Sequence, residues 1–273
     1  MIMSREESFS DQGLSVGLIP QQPKNMHEGM ADESQKLIVL MPGAFHTGKT
    51  FSTLQPELEV YDYDTMAITF NNDDPAATAE SDAQMVADKI GDRRGVILVG
   101  WSRAIEKIVY LPQMLDPNQL EGVVAYGTGG PQKYLLPMES VLDTSIPRYK
   151  PGYDQYLQQR PDGRYEITPD AARHYFYHDL TEELVDKALS ELVPQTENTT
   201  PGAVQPWSPD MPTLLLLGRG DRVLDVARAQ AIGHKFFHVN TEIMPGGHSL
   251  HLSHAQQLAE RIVQFVTDEV TTR

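Results

Sequence analysis

Between Val96 and Leu111 the chain runs from an unbroken apolar segment into a helical rhythm with a serine at the join, and this stretch constrains the fold more than any other. Gly95 to Gly100 reads GVILVG; Trp101, Ser102 and Arg103 follow, and Ile105, Ile108, Val109 and Leu111 then recur at helical spacing. The pattern predicts strand, sharp turn and helix. Such a turn lifts the serine hydroxyl clear of a sheet and aims the next backbone N–H, that of Arg103, at whatever the hydroxyl attacks. Its usual spelling is G-x-S-x-G; here Gly100-Trp101-Ser102-Arg103-Ala104 keeps one glycine of the two. A serine capping an ordinary helix would look the same locally, so the reading depends on the rest of the chain.

The flanking segments supply a sheet. Leu37 to Met41 is short, uninterrupted and apolar, as a strand buried on both faces should be. Further strands are predicted within Glu59 to Phe70, Val123 to Tyr126, Thr213 to Leu217 and Val239 to Met244, with helices from Asp74 or Pro75 through Ile90 and from Leu252 to Val270. This alternation predicts an α/β fold, a mostly parallel central sheet with helices on both faces and ligands at the carboxyl ends of its strands. Residues 36–130 and 207–273 are assigned to that core and 1–35 to a polar N-terminal tail. The alternation stops over 131–206, which reads as a helical lid, or cap, insertion with a helix capped by Thr181 and carrying Leu184, Ala188, Leu189 and Leu192.

The loop after the first strand has two readings. Gly43 to Thr50 (GAFHTGKT) matches the phosphate-binding pattern G-x-x-x-x-G-K-[ST]. Nucleotide hydrolysis also needs an acid at a strand end to hold the magnesium shell, yet GVILVG ends in Gly100 and TLLLLG in Gly218. In the second reading, a turn at Gly43 and Ala44 points the Ala44 N–H toward Ser102, a second donor beside Arg103 for a developing oxyanion. Phe45, His46 and Trp101 then become candidate substrate-binding side chains, with loop packing for Phe45 and a solvated ring for His46 as the plainer alternatives.

A serine nucleophile needs a base to take its proton and an acid to orient that base. Asp221 follows a buried strand, and His248 follows Gly246-Gly247, two residues that let a loop bring the ring inward. Asp225, the alternative acid, reads as the N-cap of a helix from Val226. His251 and His254 are expected to face solvent or cap the closing helix. His174 and His178 sit one helical turn apart, but no third ligand marks a metal site, and no cofactor is expected. The chain order serine, aspartate, histidine is that of the α/β-hydrolase fold.

The loop PGAFHTGKTF resembles the HGAxHGxxxW segment of the plant-type methylesterase and hydroxynitrile lyase group of α/β hydrolases, which includes bacterial esterases. YFYHDLTEELVDKALSELVPQ is similar to that group's F-Y-x-D-C helix, and GGHSLHLSHAQQLAERI to its G-G-H ending, so the likeness covers roughly Leu37 to Val266. By position, the resemblance implies Ser102 as nucleophile, Asp221 as acid, His248 as base and the Ala44 and Arg103 N–H groups as oxyanion donors. It also implies cofactor-free hydrolysis of a small carboxylic ester under a helical lid, often in a homodimer. The chain departs from the group at Pro42, at Ala104-Ile105, where Ile105 is expected to press on the adjacent strand, and at Ser249, where the lyases carry lysine. Cyanohydrin cleavage is therefore not expected. A biosynthetic transfer, cyclisation or condensation on the same triad, and non-catalytic ligand binding, stand as alternatives.

Charge narrows the partners. The 38 acidic residues against 22 basic give a net charge of −16, which disfavours nucleic acid and anionic membrane surfaces. A small-molecule ester or acyl compound is the expected partner. There is no cysteine, hence no thiolate nucleophile and no disulfide framework. The acidic start, with Glu6, Glu7 and Asp11, and the absence of long apolar runs make the cytoplasm the expected compartment.

Overall fold

A computed structural model of the chain describes residues 35–130, 149–196 and 205–271. The chain divides into Met1–Glu33 and Ser34–Arg273. All of the expected tail but Gln35 lies outside the described residues, as do 131–148 and 197–204 of the expected lid.

The strands are β1 (Leu37–Met41), β2 (Asp64–Ala67), β3 (Val96–Trp101), β4 (Leu120–Tyr126), β5 (Leu157–Gln159), β6 (Tyr165–Ile167), β7 (Thr213–Gly218) and β8 (Thr241–Met244). The helices are α1 (Leu54–Glu59), α2 (Ala79–Ile90), α3 (Ile105–Ile108), α4 (Pro169–Tyr175), α5 (Glu182–Ser190), α6 (Val226–Ile232), α7 (Leu250–Ser253) and α8 (Ala255–Phe265). Six strands form one parallel sheet in the order β2-β1-β3-β4-β7-β8. Because side chains alternate along a strand, β1 feeds two cores. Leu37, Val39 and Met41 join Ala83, Val86 and Ile90 of α2, Ile105 and Ile108 of α3 and Ile232 of α6. Ile38 and Leu40 join Leu54 and Leu58 of α1 and Leu258, Ile262 and Phe265 of α8. Both faces are therefore dry, which is why these strands read as continuous apolar runs.

Between β4 and β7 the described part of the insertion holds the antiparallel β5–β6 hairpin, α4 and α5. Its apolar side chains, among them Tyr153, Ala172, Tyr175, Phe176, Tyr177 and Val185, form a third core with Phe45, Leu217 and Leu224. The hairpin was not legible as strands, since its two three-residue pieces carry no run of alternation. Thr181 does cap α5, accepting from the Leu184 N–H. Of the expected face, Ala188 is buried and Leu189 and Leu192 pack against the insertion core, and Val185 is buried beside them.

Several boundaries moved for local reasons. Leu54–Glu59 is helical, and a turn with Asp62 at φ 65° separates it from β2, which shortens the strand expected over Glu59 to Phe70. Thr78 and Ser81 form a reciprocal capping box, so α2 begins at Ala79 and not at Asp74. After the elbow α3 makes a single turn before Pro112 sits within a 3-10 turn. The closing helix is broken at His254 into α7 and α8.

Candidate active site

Ser102 sits at φ 54°, a left-handed backbone conformation that costs a non-glycine residue about 1–3 kcal/mol and persists only where the surroundings enforce it. Two close approaches do so. A Cβ added at Gly100 would lie 2.3 Å from Ile108 Cδ1 and 3.2 Å from Ala104 Cβ, so the side chains that follow the elbow pack into the space a side chain at Gly100 would take. The crowding expected of Ile105 falls one turn later, and Ile105 itself is fully buried in the core. On the other side, a Cβ at Gly43 would lie 2.9 Å from Ser102 Cβ and 3.2 Å from the Trp101 ring, so the loop after β1 lies directly against the elbow.

The elbow, the end of β7 and the end of β8 converge on one point. His248 Nε2 is 3.0 Å from Ser102 Oγ, and His248 Nδ1 is 2.7 Å from Asp221 Oδ2. Asp221 Oδ1 accepts the Val223 N–H at 2.7 Å and the Leu224 N–H at 2.9 Å, which fixes the carboxylate. The carboxylate admits only a donor at Nδ1, so the tautomer leaves Nε2 free to accept from the serine hydroxyl. Asp221 and His248 are buried. Burial works to raise the Asp221 pKa, but the charge and hydrogen bond of His248 and the two backbone N–H groups outweigh it and hold the carboxyl below its ordinary value. Asp225 does not join this set; it caps α6 by accepting from Ala227 and Arg228.

The loop carrying Ala44 is braced from the insertion. The Phe45 N–H donates to Gln195 Oε1 at 2.8 Å, and Phe45 O accepts from Val193. His46 is not the solvated ring of the plainer alternative: it is 2% exposed, because its Nδ1–H donates to Ala44 O and its Nε2 accepts the Tyr177 hydroxyl proton. Its ring stands edge-on to Trp101 at 4.5 Å. Trp101 is buried and donates its indole N–H to His248 O at 2.9 Å. Phe45 is buried in the insertion core. Arg103 pairs with Glu106 at 2.8 Å.

The phosphate-loop reading is overturned by the same geometry. Thr50, whose hydroxyl would have to meet magnesium, is buried and bonded to His251 Nε2 at 2.8 Å. Residues Gly48–Ser52 form a 3-10 turn, and Gly43 at the start of the loop lies against Ser102 and Trp101. His251 likewise departs from expectation. It is fully buried, with its ring 4.4 Å from Trp101 and 5.1 Å from Phe51, because α7 turns that face inward. Burial, then the neighbouring His46 and His248, push its pKa well below the usual histidine value. His174 lies beside Arg222, and among the described residues no group of three or more ligating side chains could hold a metal ion.

His46 makes acid sensitivity measurable. Burial foremost, with a contribution from nearby His248, lowers its pKa to about 4 against the resisting bond to Ala44. The unfolded chain thus takes up this proton first as pH falls below about 6.5, so the stabilisation is complete above that value and is lost progressively toward pH 4. At pH 5 the loss is about 2 kcal/mol from this group. Urea unfolding at pH 7 and pH 5 should show it, and His46→Gln should reduce the pH dependence by about that amount. An unchanged pH dependence in the variant would contradict the assignment.

A parallel sheet with a strained serine on its central elbow, and a histidine and buried acid delivered by the last two strands, is the architecture of an α/β hydrolase. The model of the alpha/beta hydrolase family matches residues 38–261, and the chain belongs to that family. Among curated protein sequences no match is found. Solved structures with the same fold include a pyrethroid hydrolase from Sphingobium faniae JZ-2 (22% identity, TM-score 0.73, covering 87% of this chain and 100% of that one). Polyneuridine aldehyde esterase is similar at 13% identity and TM-score 0.67, covering 86% of this chain and 100% of its own. A methylesterase protein from Arabidopsis is similar at 15% identity and TM-score 0.65, covering 85% and 99%.

Proposed function

We propose that the protein is a serine esterase that cleaves a small carboxylic ester through Ser102, His248 and Asp221. The observation that carries this reading is the unbroken relay of hydrogen bonds from Ser102 Oγ through both ring nitrogens of His248 to Asp221. In this mechanism Ser102 Oγ attacks the ester carbonyl carbon as its proton passes to His248 Nε2. The N–H groups of Ala44 and Arg103 receive the negative oxygen of the tetrahedral intermediate. Collapse breaks the bond to the alkoxy oxygen, which leaves as an alcohol with the proton from His248. Water, deprotonated by His248, then attacks the acyl-serine and releases the acid. Asp221 steadies the imidazolium in both halves and keeps its own charge.

The insertion serves as the lid in this reading, supported by Phe176, whose ring stacks over His248 with centroids 5.6 Å apart. The buried positions of Phe45, His46 and Trp101 favour a role in shaping the acyl site from behind. Hydrolysis of p-nitrophenyl acetate and butyrate tests the proposal. Turnover should be readily measurable and fall to background in Ser102→Ala. Turnover that survives this change would assign the chemistry elsewhere, and a wild-type protein inert toward such esters would favour the transfer or binding alternatives.

A further inference from the structure

The general base sits on a glycine-rich loop that is held from several sides, with Trp101 bonded to His248 O. Pro245-Gly246-Gly247 joins β8 to His248, and Gly246 adopts φ 105°, so the loop has glycine's freedom just before the imidazole. From the side of β7, Arg219 N–H donates to Met244 O and Gly220 N–H to Gly246 O, each at 2.8 Å. On the other side of the same Gly246–Gly247 peptide, the Gly247 N–H donates to Asp179 Oδ2 at 2.6 Å, and Asp179 belongs to the insertion, 68 positions away.

We propose that Asp179 is a positioning residue for His248, setting the loop that carries the base; the proposal rests on the serine esterase reading above. Three observations separate this from ordinary packing. Asp179 is not the cap of α5, because Thr181 fills that place. Among the described residues it makes no ion pair, and its second oxygen, Oδ1, is buried without a hydrogen-bond partner, so Gly247 is the contact its carboxylate is placed to make. The approach is also close: a Cβ on Gly247 would lie 2.8 Å from Asp179 Oδ1 and 2.7 Å from His178 Cε1. Three residues earlier on the same segment, Phe176 lies nearly parallel to the imidazole, at 25°. One short piece of the insertion thus holds the base by its ring and by the N–H of the residue before it. A charged acceptor makes the stronger hydrogen bond to a backbone N–H, which accounts for a carboxylate at this position.

Three variants and one spectroscopic measurement test this. With p-nitrophenyl butyrate, Asp179→Ala should lower kcat by about 10- to 100-fold with KM nearly unchanged, the scale expected when a reacting group is displaced by a fraction of an ångström to an ångström. Asp179→Asn keeps an acceptor oxygen and should recover most of that loss. Gly247→Ala leaves Asp179 in place but forces the two apart, and should reproduce the alanine phenotype. In the Ser102→Ala background, the deshielded proton shared by His248 Nδ1 and Asp221 should be sharp in proton NMR and broaden when Asp179→Ala is added. Asp179→Ala or Gly247→Ala with kcat within twofold of wild type would overturn the proposal, as would equal losses in the alanine and asparagine variants that track a fall in melting temperature. The NMR arm needs no turnover, so an unaltered proton signal counts against Asp179 even where the esterase reading itself fails, and a protein without esterase activity that still shows the broadening separates the two.

Discussion

Asp221→Asn is expected to lower kcat for a p-nitrophenyl ester by about four orders of magnitude, and His248→Ala by at least as much. The aspartate figure follows from the tautomer. With a carboxylate at Oδ2, His248 Nδ1 must donate and Nε2 is left to accept from Ser102. An amide at the same place can present its NH₂ to Nδ1, which moves the ring proton to Nε2 and points it at the serine oxygen. The base is then blocked although nothing has moved. Because Asp221 Oδ1 already accepts two backbone N–H groups, the asparagine oxygen has a ready position there, and the melting temperature should change far less than the rate. Removing His248 instead leaves a buried carboxylate without its partner, so that variant should lose stability as well as activity. A variant of either kind with activity within tenfold of wild type would exclude the relay as the engine of the reaction.

The second large effect is expected from Gly43→Ala, a change of one methyl group that removes no catalytic side chain. Its Cβ would fall 2.9 Å from Ser102 Cβ and 3.2 Å from Trp101, inside any ordinary contact distance. Trp101 is fixed by its bond to His248 O, and the backbone of Ser102 is held by β3 and α3, so the β1 loop is the part that must retreat. Retreat carries the Ala44 N–H away from the oxyanion position. Losing one such donor costs about 10²–10³ in kcat, and KM should change little because the donor acts on charge present only in the transition state. Steady-state kinetics would show this directly. A variant with kcat intact would remove Ala44 from the oxyanion site.

Legibility in the sequence followed the range of the interaction. β1 spans Leu37–Met41 as expected because five consecutive buried residues leave no other reading, and Thr181 and Asp225 cap helices because capping is decided within three residues. The elbow, Asp221 and His248 were legible through their order and their places after strands. What escaped was decided across the fold. His46 and His251 look like polar residues in polar segments, yet one is locked between Ala44 and Tyr177 and the other is bonded to Thr50, 201 positions away. Gln195 and Asp179 carry no local pattern at all; only the likeness of FYHDL to a family motif drew attention to that segment, and it gave no role. The GKT spelling carries no phosphate site for the complementary reason. A loop motif specifies residues, while its chemistry depends on what the fold packs against them, and here that is Ser102 and His251.

The most direct test of the account is to treat the protein with an active-site phosphonylating reagent and locate the adduct by peptide mass spectrometry. One phosphonyl group per chain, on Ser102, formed in the wild type and at background rate in His248→Ala, is the predicted result. An adduct on another residue, or one that forms on Ser102 equally fast without His248, would contradict a serine activated by that histidine.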